Sequence, residues 1–142
     1  MGCWNDTQVA AARIRDLQSR LMVASLRCSA RGVDVTPAYN RFVVANRATI
    51  QGANQVILAQ FRSGHGAEAQ LHYDRFATAL ANAYGADATD PTVCADTASL
   101  ADEGARAAGS TALLVAIADR FGFDSALPGG RCAVTFAAAG SE

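Results

Sequence analysis

The chain has 142 residues, a length that one hydrophobic core usually serves. It is 51% apolar and 18% charged with a net charge of −1, which excludes an intrinsically disordered chain and the basic surplus of a nucleic-acid binder. No window approaches the roughly 18 uninterrupted apolar residues of a membrane-spanning helix.

Thirty-two of the apolar residues are alanine, which makes the core modest and the helix propensity high. All basic residues are arginine, spread from Arg13 to Arg131. A cluster would bind carboxylates or phosphates bidentately; this spread reads as solvated helix surface.

Ala10, Ile14, Leu17, Leu21, Ala24 and Cys28 recur at alternating spacings of four and three, which lines one helical face. This predicts a first helix over about 6–31, capped by Asn5, Asp6 or Thr7 and stopped at Gly32, with Asp16 and Arg20 as an i,i+4 pair. Thr36-Pro37 reads as an N-cap with proline at the first helical position. It opens a second helix over about 37–63, with Tyr39, Val43, Asn46, Ile50, Ala53, Ile57 and Phe61 on one face. Asn46 is the polar member of that face, read as a boundary residue or as an amide bonded to neighbouring backbone.

A third helix is expected over about 67–85, with Ala69, Tyr73, Phe76, Leu80 and Ala83 inward. Asp90-Pro91 then repeats the start signal of Thr36-Pro37 for a fourth, over about 91–121. Its face of Cys94, Ala98, Ala101, Ala105 and Ala108 uses small residues, and Leu114, Ile117 and Phe121 continue it beyond Gly109-Ser110. Whether this helix is kinked or divided stays open. The tail over about 123–142 reads as irregular, apart from a short extended segment at Cys132–Phe136. The expected fold class is all-α: one helical domain over 1–142, an up-down four-helix bundle with two disulfides.

Four cysteines without a Cys-x-x-Cys motif point to disulfides in an oxidising compartment rather than to zinc or haem. Cys3 and Cys28 lie at opposite ends of helix one, more than about 30 Å apart at about 1.5 Å per residue, whereas a bridge needs Cα atoms within about 7 Å. An up-down bundle sets the end of helix one beside the start of helix four, and its start beside the segment after helix four. The expected pairs are therefore Cys28–Cys94 and Cys3–Cys132. Two other roles for the N-terminus compete: a myristoylation start at Met1-Gly2, and a lipid anchor on Cys3. A periplasmic or secreted location is expected, with the export signal removed.

The segments Leu21–Cys28, Tyr39-Asn40-Arg41-Phe42, Leu80-Ala81-Asn82 and Cys94 resemble small exported, all-helical, disulfide-containing proteins of alphaproteobacteria. The resemblance covers about residues 3–100. It implies export and disulfides, and it carries no activity, substrate or catalytic residue.

No nucleophile elbow, zinc-protease or P-loop motif occurs. His65, in Gly64-His65-Gly66, and His72 are the imidazoles, read with nearby Asp74 as exposed surface residues rather than a metal site. Glu68 and Glu103 lack the Glu-x-x-His pattern of a di-iron bundle, and Asp102-Glu103 reads as a solvated pair. Neither a catalytic set nor a cofactor is expected.

The leading reading is an exported, non-enzymatic helical module that binds a protein or envelope component, with Ala98, Ala101, Ala105 and Ala108 as a contact face and a route to self-association. The alternative is a carrier of a small apolar ligand inside the bundle, its pocket lined by Tyr39, Phe42, Phe61, Tyr73, Phe76 and Tyr84. The third, a hydrolytic or metal-dependent enzyme, needs His65 or His72 to meet a carboxylate and a hydroxyl in one cleft.

Overall fold

The computed structural model describes residues 1–85, 90–121 and 126–133. Among these are six α-helices: α1 (Asp6–Ala30), α2 (Thr36–Ala45), α3 (Arg47–His65), α4 (Ala69–Gly85), α5 (Pro91–Arg106) and α6 (Thr111–Arg120). A short 3-10 turn over Gly66–Glu68 joins α3 to α4. The all-helical class is as expected. No helix among the described residues is long and apolar enough to cross a membrane.

Local chemistry sets most helix ends. Asn5 caps α1 by accepting from the Gln8 N–H, while the Gln8 side chain accepts from the Asn5 N–H, a reciprocal capping box. Asp90 caps α5 by accepting from the Val93 N–H, with Pro91 following it. Thr36 does not cap α2, contrary to expectation. Val35 holds the cap position, and the Asp34 carboxylate accepts from the Thr36 N–H at 3.1 Å.

The helix expected over 37–63 is divided at Asn46. The Asn46 side chain donates to the carbonyls of Phe42 and Gly104, both at 2.9 Å, and accepts from the Gly109 N–H at 2.8 Å. Asparagine side chains compete with the helical ladder in this way. The consequence for packing is a one-residue shift of the buried face. Ile50, Ala53, Ile57 and Phe61 are buried as the spacing predicts, but in α2 the buried residues are Ala38 and Phe42, not Tyr39 and Val43.

The fourth helix is two helices running in opposite directions. Ala108 and Gly109 take positive φ values of 48° and 84°, the left-handed region that glycine enters freely and alanine at a cost of roughly 1–2 kcal/mol. Ser110 then caps α6 by accepting from the Leu113 N–H. Thr111 lies beside Asp6 and Thr7, and Asp119 forms an ion pair with Arg13, so α6 runs along α1 in the same direction. The predicted small-residue face of α5 is also rotated. Cys94, Thr97, Leu100, Ala101 and Gly104 are buried, while Ala98 and Ala105 are half-buried and Ala108 is exposed.

α1 packs against all five other helices; α3 pairs with α4 on one side and α2 with α5 on the other. That central position buries Val9, Ala11, Ala12, Asp16, Ser19 and Ser25 of α1 in addition to Ile14, Leu17, Leu21 and Cys28 of the expected stripe, whose Ala10 and Ala24 are half-buried. Asp16 accepts from the Tyr84 hydroxyl. Arg20 lies over the rings of Tyr84 and Phe121, 5.8 and 5.0 Å from their centroids. Trp4, Phe61 and Phe76 form an aromatic cluster at the other end, with centroids 5.6–5.9 Å apart. Ala83, expected inward, is exposed.

Both expected disulfides form: Cys28–Cys94 with Cα atoms 5.8 Å apart, and Cys3–Cys132 with Cα atoms 4.8 Å apart. Cys3 is thus half of a disulfide. Around it, Trp4 N–H donates to Gly130, the Trp4 indole N–H to the Pro128 carbonyl, and Cys132 N–H back to Trp4. Arg131 and Trp4 form an isolated parallel β-bridge. The tail expected from 123 is described over 126–133; residues 134–136 of the expected extended segment lie outside the described residues.

Candidate functional site

A groove of about 490 Å³ opens between α1, α3 and α6. Ala10, Ala11 and Ile14 of α1 form one wall, and Gly52, Ala53 and Val56 of α3 the other. Asp6, Thr7, Thr49 and Thr111 complete its lining with one carboxylate and three hydroxyls. Thr49 donates to the Gly109 carbonyl at 2.7 Å, which ties the α5–α6 turn to the groove edge.

Short side chains, Ala10, Ala11, Gly52 and Ala53, make up much of the groove lining. Gly52 is in the interior of α3, where glycine costs about 0.5–1 kcal/mol relative to alanine. A Cβ at Gly52 would meet nothing within 4 Å, so close packing does not demand it. A smaller cleft of about 320 Å³ lies between α5 and α6, lined by Arg106, Leu113, Ile117 and the Glu103–Arg120 ion pair among others.

None of the six aromatics expected to line a pocket lines the groove or the cleft. Phe42, Phe61 and Phe76 are buried in the core, and Tyr39, Tyr73 and Tyr84 pack half-buried against it. The Tyr73 hydroxyl donates to Asn54. The arginines are dispersed as expected: Arg41 pairs with Asp102 at 3.1 Å, and Arg120 with Glu103.

The two histidines are not simply exposed. His65, at the end of α3, and His72, early in α4, are half-buried, and their rings stack with centroids 3.5 Å apart and planes 12° apart. Among the described residues no group of three or more histidine, cysteine or acidic side chains is arranged to hold a metal ion. The His65 pKa is lowered from its ordinary 6.5, first by desolvation, then by the facing His72 and the N-terminal ammonium, with Glu68 opposing. A depressed histidine adds stability that is present above pH 6.5 and lost as pH falls through its folded pKa. His72→Gln is expected to return the His65 pKa part of the way toward its ordinary value in an NMR titration of the ring protons. An unchanged midpoint would rule out the stacked partner as a cause.

Neither family models, curated proteins nor solved structures gave a match to this chain. What the fold and site define is an all-helical chain with two disulfides and an open apolar groove.

Proposed function

We propose that this chain is an exported, non-enzymatic helical binding module that takes up a small apolar ligand in the groove between α1, α3 and α6. The groove carries the reading. Its volume of about 490 Å³ falls within the range of small-molecule sites, and its walls are apolar with a few polar groups at the edge.

The two disulfides support a periplasmic or secreted location, because such bonds persist in oxidising compartments. The resemblance to exported alphaproteobacterial proteins agrees with that location. In this reading α1, α2–α3, α4 and α5 form an up-down four-helix frame, and α6 is an added wall that creates the groove. A protein contact through the small-residue face of α5 is less well supported, because Ala101 is buried and Ala98 packs against the Cys28–Cys94 cluster.

The test is mass spectrometry of protein purified from its native source, before and after reduction and organic extraction. Four cysteines blocked until reduction, and an extractable apolar molecule, are expected. Free thiols would overturn the export reading. No extractable molecule, together with no uptake of an apolar probe, would overturn the ligand reading.

A further inference from the structure

We infer that the groove selects an uncharged apolar molecule, seated against Gly52 in its α3 wall; this rests on the groove being the ligand site. The first observation is steric. A Cβ at Gly104 would fall 2.5 Å from the Phe42 ring, so that glycine is required by packing. A Cβ at Gly52 meets open space, so what the missing side chain preserves is the room inside the groove.

The second observation is electrostatic and independent of the first. Asp6 is the one formally charged residue in the lining, and no arginine among the described residues joins it. Asp6 lies in the first turn of α1, and Thr111, the first residue of α6, sits at the same groove. A helix N-terminus carries about half a positive charge, which partly offsets the carboxylate and supplies no full positive charge. An anionic ligand entering the groove gives up hydration and meets the Asp6 carboxylate with no arginine in the lining to pair with it. An uncharged one avoids that loss, and a hydroxyl or carbonyl on it is within the reach of the Thr7 and Thr111 side chains at the rim.

Two fluorescent probes with the same ring system test this: N-phenylnaphthylamine, which is neutral, and anilinonaphthalene sulfonate, which carries one negative charge. The neutral probe is expected to bind the oxidised protein at least about tenfold more tightly, equivalent to about 1.4 kcal/mol. A Cβ at residue 52 meets nothing within 4 Å, so for Gly52→Leu the thermal unfolding midpoint should be unchanged or raised while binding of the neutral probe is lost. Equal or tighter binding of the sulfonate would overturn the selection for an uncharged ligand and leave the ligand site standing. Failure of both probes would overturn the ligand site as well. Undiminished binding of the neutral probe to a folded Gly52→Leu variant would overturn the placement of the ligand in this groove.

Discussion

Phe42→Ala is expected to cost about 3–5 kcal/mol of folding free energy, read as a lowered urea midpoint at constant slope. The ring is fully buried at the contact between α2 and α5, and the backbone of α5 approaches closely because residue 104 has no side chain. A Cβ there would lie 2.5 and 2.8 Å from Cδ1 and Cε1 of the ring. Gly104→Ala alone is therefore expected to destabilise by about 1–3 kcal/mol through overpacking, although alanine is the better helix former. In the Phe42→Ala background the clash disappears, and the same substitution should become neutral or stabilising. An equal penalty in both backgrounds would mean that the glycine accommodates something other than the ring.

Removing the Cys28–Cys94 bond by Cys28→Ala with Cys94→Ala should lower stability by about 4 kcal/mol in the chain-entropy model, measured against the oxidised parent. Both cysteines are buried and packed with Val35 where α1 ends and α5 begins. Cys3 is exposed and Cys132 half-buried, so a mild dithiol reaches that bond first. Timed alkylation should label Cys3 and Cys132 while the helices remain intact, and Cys28 and Cys94 only as the fold opens. Labelling of all four together would show that the two bonds are not independently accessible.

The helices were legible because spacings of three and four persist through alanine-rich text, and the start signals Asn5 and Asp90-Pro91 are local. The Cys28–Cys94 pair was legible because chain direction alone decides which helix ends meet. The reversal into α6 was not. It turns on two successive left-handed residues, Ala108 and Gly109; the glycine marks a place where the helix can break, but nothing in the identity of an alanine announces that conformation. The role of Asn46 was only half visible. Its polarity on an apolar face signals a bond, but the partners Gly104 and Gly109 lie 58 and 63 residues away. The expectation of Cys3–Cys132 assumes a chain that ends at the foot of a single fourth helix. Because α6 runs back along α1, the segment around Pro128 must return the chain to Trp4 before the bond can close.

The groove was the least legible feature, for a physical reason. Aromatic residues suggest a pocket lining because they are large, yet large side chains fill space. The groove is made by residues too small to fill it: Ala10, Gly52 and Ala53, drawn from helices whose separation no single-helix pattern encodes. Ile14 and Ala53 were expected to face inward, and they do. The pattern gives the direction a side chain points, not the distance to the opposite wall.

The clasp around Trp4 also determines how the molecule bears load. Tension applied through the residues before Cys3 and after Cys132 crosses a single covalent bond and bypasses the helices. The Cys28–Cys94 loop lies nested inside that bond. Under oxidising conditions the covalent path between residues 3 and 132 is therefore short. After reduction of the outer bond alone the chain pays out from its two ends, while the segment between Cys28 and Cys94 stays closed, so extension comes in two separate lengths, each released by its own redox event.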